Sequence, residues 1–383
     1  MEDIRGCQRR CPQRVIHCQV ARPLDYRTHV VAFCPSWRRC SSPSPATRAA
    51  VAEDFPVVAE VVRSGFVESR HHGAYVALDA DGEIAAAAGP VGAPMFPRSS
   101  NKPLQAAAML ECGLRLEGEL LALAAGSHSG EEFHLAGVRR ILGAAGLDES
   151  ALGCPPALPL DADAARSAVR AGQDPRPAFM NCSGKHAAML ATCVAAGWPA
   201  YWSAGSYRDP DHPLQVAIRA TIERLAGEPV AAVGVDGCGA PLFALTLTGL
   251  ARAYRSVVLA DPDGTERRVA DAMRAHPAWC SGSRRDERTL MRGVPGLLIK
   301  GGAEGVKAFA LPDGRAGAVK IEDGAARAST PVTVAVLRAL GATHLPGAPS
   351  ARAALDELAS VPVLGGGEPV GEVRAVSDTR EAQ

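Results

Sequence analysis

The stretch RSSNKPLQAAAML, residues 98–110, sets two serines, an asparagine and a lysine directly ahead of an apolar, alanine-rich run. Proline is accepted in the first turn of a helix, where its missing N–H would have no partner in any case. Pro103 therefore places a helix start at about Ser99 to Ser100. In such a turn Ser99 and Lys102 are three apart and share a face, whereas Ser100 and Lys102 diverge. A serine hydroxyl is a poor nucleophile until a base takes its proton. Lysine is such a base only where burial or a neighbouring cation lowers its pKa. Alone, the spacing fits an N-cap serine followed by a surface lysine better than a catalytic pair, so the rest of the chain has to decide.

Three further stretches bear on it. AAGSHSGEEFHL (124–135) follows the apolar LLALAA. Ser129 and Glu132 fit a capping box, which makes Ser129 structural. Ser127 falls two residues earlier, on the strand-to-helix turn after this segment, where a nucleophile can stand exposed and where backbone N–H groups at the helix start can stabilise an oxyanion. His128 beside it reads either as a participant or as a structural hydrogen-bonder. NCSGKHAAML (181–190) has Gly-Lys before a helix, but Phe179 stands where a phosphate loop needs glycine, which disfavours phosphate binding. Cys182 and Lys185 form a second i, i+3 pair, and VDGCGAP (235–241) is a turn offering Asp236 and Cys238. By itself each cysteine also reads as a small buried apolar residue.

Of the 383 residues 47% are hydrophobic and only 4% aromatic, so the chain is globular with a core of small aliphatic side chains. Acids and bases balance at 41 each, which removes any general pull toward nucleic acid or anionic membrane. No apolar run reaches the roughly 18 residues of a membrane span. Five of the 11 cysteines fall within the first 40 residues, with no secretory signal ahead of them. A reducing cytoplasm is therefore expected, without a disulfide framework. The other six contain no C-x-x-C pair for a zinc ribbon. Residues 1–50, rich in Arg, Cys and Pro, read as a disordered or non-native extension, and residues 51–383 as a single catalytic domain.

Within that domain AYVALDADGEIAAAAG (74–89) reads as a hairpin turning at Asp81-Gly82. Helices are expected from Pro103 to Gly113 and over 134–146, 186–198, 212–227 and 334–342, with a buried element leading into helix over 242–257. Strands are expected at 296–302, 306–311 and 316–323. Hairpin strands at both ends of a helical middle indicate an α+β layered fold.

Together RSSNKPLQ, SHSGEEFH, NCSGKHAAML, VDGCGAP, LIKGG and VKIEDG, in this order, resemble the serine–lysine asparaginases of the asparaginase II type. The resemblance covers roughly Phe55 to Val373. It implies hydrolysis of L-asparagine to aspartate and ammonia on a fold similar to serine β-lactamases and serine–lysine glutaminases, by a homodimer. Carried over by motif, it implies two pairs. Ser99 pairs with Lys102, and Ser127, the nucleophile, pairs with Lys300 as its base. Asp236, Arg98 and His128 would hold substrate, with Asp236 toward its ammonium. Cys182, Lys185 and Cys238 would hold a zinc ion that tunes substrate binding, which calls for a strongly depressed Lys185 pKa. RRDERTLM (284–291) lacks the cysteine that the family carries before a T-M-L-M-like run, and Cys280 lies several residues earlier.

The S-x-x-K pattern also occurs in β-lactamases and penicillin-binding proteins, but the chain contains no S-D-N and no K-T-G. Glutamine is the nearest alternative substrate, one methylene longer. A binding protein that had lost catalysis would have little use for two buried lysines.

Overall fold

Asp81-Gly82 makes the turn expected of it. Asp79 Oδ1 accepts hydrogen bonds from the N–H groups of Asp81, Gly82 and Glu83 at 2.9–3.0 Å, and Gly82 takes the positive φ (93°) that the turn requires. The strands on either side, Phe66–Leu78 and Ile84–Ala88, pair antiparallel. The computed structural model describes residues 54–199, 201–202, 205–345 and 348–376, which fall within one unit, Ala50–Gln383. The expectation about residues 1–50 lies outside the described residues.

Around the hairpin an eight-stranded antiparallel sheet runs in the order Ser360–Gly365, Glu368–Ala375, Val57–Arg63, Phe66–Leu78, Ala316–Ile321, Val306–Ala310 and Leu298–Gly301, with Ile84–Ala88 on Phe66–Leu78. Every residue of Val306–Ala310 is buried, so this part of the sheet is covered on both faces. Helices Leu247–Leu259 and Ala326–Ala339 both pack against it. The architecture is α+β, as expected, and the expected strands and helices form, except that the segment leading to Ser127, read as a strand, is the helix Gly118–Ala124. Not anticipated were the strands Val57–Arg63, Ser360–Gly365 and Glu368–Ala375, and, among others, the helices Ala162–Arg170, Thr265–Ala275, Asp286–Gly293 and Ala348–Glu357. No helix among the described residues is long and apolar enough to cross a membrane.

The helical part is centred on Lys102–Glu111, which packs against Ser183–Ala196, Pro213–Ala226 and Thr265–Ala275. Ala106, Ala107 and Ala108 are fully buried in this nest. Three small side chains in succession let neighbouring helices approach from several directions, which fits the alanine-rich, aromatic-poor composition. The helix closes at Gly113, whose φ is 95°. Its N-terminus is preceded by a 3₁₀ turn, Arg98–Asn101. A small second sheet, Pro94–Met95, Pro241–Thr246 and Ala232–Val235, carries the Asp236–Ala240 turn at its hairpin tip.

Candidate active site

Four loops and turns meet at the N-terminus of the Lys102 helix. Arg98 holds a positive φ (50°), uncommon for a side-chain-bearing residue and a mark of stored backbone strain. The strain turns the chain so that Arg98 Nε donates to Asp236 Oδ1 at 2.9 Å. Strand Leu298–Gly301 ends against the same turn. A Cβ at Gly302 would lie 2.6 Å from the Pro97 carbonyl oxygen, so only glycine permits this approach.

Ser127 leaves the helix Gly118–Ala124 through Gly126, and its hydroxyl lies within the core of the site, 7% exposed. Lys102 Nζ donates to Ser127 Oγ at 2.8 Å and to the Gly126 carbonyl at 2.7 Å. The structure thus joins Lys102 to Ser127, not to Ser99. Ser99 is half-buried on the 3₁₀ turn; its carbonyl accepts from the Lys102 backbone N–H, but no side-chain hydrogen bond among the described residues links it to Lys102. The i, i+3 reasoning treated the first turn as regular helix and the lysine as a local partner. Instead the long side chain crosses to a loop 25 residues away.

Lys300, also buried, donates to the carbonyl of its neighbour Gly301 and makes no hydrogen bond to Ser127 among the described residues. Burial, opposed by Glu287 and reinforced by the charges of Lys102 and Arg285, lowers its pKa to about 8. The expected Ser127–Lys300 hydrogen bond is therefore not formed among the described residues. Lys300 is the amine whose neutral form is accessible near neutral pH, and Lys102 is the group in contact with the serine.

Two smaller readings are corrected. Ser129 is no capping residue: its Oγ donates to the Ser281 carbonyl at 2.9 Å, and Glu131 is the N-cap of helix Glu132–Ala144 without a side-chain cap bond. His128 is fully buried with both ring nitrogens engaged, Nδ1 by the Gly130 N–H (3.1 Å) and Nε2 by Ser183 Oγ (2.8 Å). Burial, with His134 and Lys102, holds its pKa well below the ordinary value. It is a neutral structural link with no nitrogen left for substrate. The N–H groups of Ser127 and His128 are likewise used, by the Cys280 and Asn181 carbonyls, so they form no oxyanion hole in this conformation.

The second cluster does assemble. One donor atom each from Cys182, Asp236 and Cys238 lie within 4.8 Å of one another. The Cys238 thiol donates to Asp236 Oδ2 at 3.5 Å. The neighbouring Cys238, with the charges of Lys102 and Lys185, pulls the Cys182 pKa well below that of a free thiol against the effect of burial, while Cys182 and burial push Cys238 up. Two sulfurs beside a carboxylate form a compact donor set whose residue types fit zinc. Lys185 Nζ lies 3.2 Å from Cys238 Sγ. Contrary to the depressed pKa expected of a ligating amine, it is raised: burial opposes the charge, but Cys238, Cys182 and Asp236 outweigh it. As it stands Lys185 is the cluster's counter-ion, and its proton would have to leave before it could ligate. Asp236, expected only to hold substrate, joins both clusters, through Arg98 and through the thiols. Arg98 also lines a cleft of about 340 Å³ with Phe96, Glu304 and Lys320.

Glu287 and Lys307 were missed by sequence reasoning, although a signal for the lysine is present. Only five of the 41 basic residues are lysines, and four of them (Lys102, Lys185, Lys300, Lys307) are at most 5% exposed. A chain that uses arginine nearly everywhere else keeps lysine in the interior, where a deprotonatable cation differs most from guanidinium.

A family model described as L-asparaginase II matches residues 59–375. None of the curated proteins compared with the chain matches it. Among solved structures, the chain is similar to a β-lactamase from Mycobacterium bovis (14% identity, TM-score 0.40, covering 70% of this chain and 94% of that one). It is also similar to Mglu in its native form in 4.3 M NaCl (16% identity, TM-score 0.40, covering 79% and 68%).

Proposed function

Since the chain belongs to the L-asparaginase II family, we propose that it is an amidohydrolase converting L-asparagine to L-aspartate and ammonia through an acyl-enzyme on Ser127. The observation that carries this reading is the buried Lys102 Nζ–Ser127 Oγ contact of 2.8 Å beside a lysine whose pKa is lowered to about 8. Lys102 passes a proton to the neutral Lys300 amine and takes the proton of Ser127. Ser127 Oγ attacks the side-chain amide carbon. The tetrahedral adduct collapses to an ester, and the nitrogen leaves as ammonia with a proton returned by the lysine pair. Water then hydrolyses the ester, releasing aspartate and restoring the hydroxyl.

Ser99 lines the turn beside this relay and is assigned to proton shuttling. Arg98, Asp236 and the neighbouring Glu304 and Lys320 offer both signs of charge, which suits the carboxylate and ammonium of a free amino acid. Cys182, Cys238 and Asp236 would hold zinc, with Lys185 joining once deprotonated, and the ion would supply a fixed positive charge next to the substrate-binding side chains. A homodimer, on the strength of the family resemblance, and a cytoplasmic location, on the strength of the cysteine usage, complete the proposal.

The test is ammonia release from asparagine, glutamine and a β-lactam control, measured side by side. Asparagine should be fastest. Equal or reversed rates on the two amides would overturn the substrate, and release from neither would overturn the reaction.

A further inference from the structure

Among the described residues three with side chains hold a positive φ: Ser64, Arg98 and Glu304. Glu304 (φ 59°) and Gly305 (φ 65°) make the turn between strands Leu298–Gly301 and Val306–Ala310. Two successive positive φ values suit a tight hairpin turn, but asparagine, aspartate or glycine adopts them at less cost than glutamate. The turn itself gains nothing from the longer side chain. The reason for a glutamate here lies in what its carboxylate reaches.

It reaches the cleft of about 340 Å³ beside Arg98. Glu304 Oε1 lies 3.5 Å from Arg98 Nη1. The other oxygen rests over the loop at Gly324, where a Cβ would lie 2.5 Å from Glu304 Oε2. Of the other charged groups here, Asp236 is 10% exposed, with Oδ1 taken by Arg98 Nε at 2.9 Å and Oδ2 by the Cys238 thiol at 3.5 Å. Lys320 Nζ donates to the carbonyls of Ile321 and Glu322. Glu304 has only the long contact to Arg98 among the described residues, and its side chain is 60% exposed. It is therefore the anion of this cleft that can take a new partner. Phe96, Val235 and Leu242 supply an apolar wall beside it, which limits water and strengthens a charge pair formed there.

Asparagine carries its ammonium and carboxylate on a carbon two bonds from the amide carbon, so both must be met close to the nucleophile. The turn bearing Arg98 runs directly into Lys102, whose amine holds Ser127. The strand bearing Lys300 runs directly into the Glu304 turn. We propose that Glu304 receives the α-ammonium of the substrate and so selects a free amino acid amide over an amide lacking that charge. Asp236, committed to Arg98 and the thiol, then holds the arginine and not the ammonium. The proposal rests on L-asparagine as the substrate.

Succinamate is L-asparagine with the ammonium replaced by hydrogen, and it provides the test. Glu304→Gln should lower kcat/KM on asparagine by about 10-fold or more, chiefly through KM, and leave succinamate within about 2-fold, since a hydrogen bond between charged groups is worth about that much. Glu304→Asp, which keeps the charge on a shorter arm, should retain more of the preference. An equal loss on both substrates, or no loss on asparagine, overturns the proposal. A greater loss on succinamate would make Glu304 a support of Arg98 and overturns it likewise. If Glu304→Gln does not fold, Glu304→Gly, which suits the positive φ, decides on the same terms. Calorimetric binding of both compounds to Ser127→Ala, with and without Glu304→Gln, reads the same preference without turnover. A binding preference that disappears with the carboxylate, in a protein that releases no ammonia from asparagine, upholds Glu304 as the partner of the ammonium and overturns the reaction. Ammonia release with a preference that Glu304→Gln leaves unchanged overturns the role of Glu304 alone.

Discussion

Replacing Lys300 by methionine should abolish turnover and at the same time stabilise the protein. The amine is buried and its pKa falls from 10.5 to about 8. At 1.36 kcal/mol per unit, keeping its charge inside the fold costs about 3 kcal/mol at pH 7. Because the folded-state pKa is the lower one, the unfolded chain binds this proton more tightly. The penalty is therefore complete below about pH 8 and disappears as pH approaches 10.5. Methionine fills a similar volume without the charge, and exchanging buried charge for apolar volume is often stabilising. Glu287 loses one favourable neighbour but keeps Lys307 and Arg285, which reduces the expected net gain to about 1–3 kcal/mol. Urea denaturation of both proteins at pH 7 and pH 10.5 reads the difference and cancels other groups that titrate in that range. The variant should be the more stable at pH 7, and the gap should close at pH 10.5. A variant less stable at pH 7, or a gap equal at both pH values, would refute the claim that this lysine is held at a cost to stability.

Ser127→Ala and Lys102→Met should each lower kcat on asparagine by about 10³-fold or more, and the double variant should fall little further, because groups that act as one unit are strongly non-additive. If Ser99→Ala were inactive while Ser127→Ala kept most of its activity, the nucleophile would be Ser99. Protein purified without a metal-affinity tag should contain near-stoichiometric zinc by elemental analysis, lost in Cys182→Ala. Stripping the metal should raise KM more than it lowers kcat, and metal-free protein with full asparagine affinity would return both cysteines to the core.

The parts of the fold that were legible in the sequence are those with local causes. Asp81-Gly82 announces its hairpin because the turn demands a positive φ, and the alanine-rich segments carry helical periodicity and glycine stops at Gly113, Gly197 and Gly227. The strand Val57–Arg63 was not legible, since its neighbour on one side, Glu368–Ala375, is some 300 residues away and nothing local names it. The same division runs through the site. Ser127, Lys102 and Lys300 stand out as residue types at motif positions. Which lysine touches the serine is a tertiary fact, decided by a loop crossing from Gly126 and by a 3₁₀ turn where regular helix was assumed. The raised pKa of Lys185 in the metal-free cluster was not legible for a related reason: its partners Cys238 and Asp236 come from a separate hairpin, and their summed charge outweighs burial only once all are together.

The position of Val57–Arg63 between Phe66–Leu78 and Glu368–Ala375 has a consequence for how the chain reaches its fold. One edge of the first hairpin can be covered only after some 300 further residues have been made. At about 5–20 residues per second of synthesis, that edge waits on the order of 15–60 s with its N–H and C=O groups unpaired. The helical nest around Lys102 can collapse during this interval, but the strand bearing Lys300 arrives late, and the strand that seals Val57–Arg63 arrives later still. Ser127 and Lys102 thus meet before the amine that is to work with them is present. Nascent chains arrested short of Glu368 are the species in which an open sheet edge and an unfinished polar interior coexist, and it is at that stage that this protein most needs a chaperone.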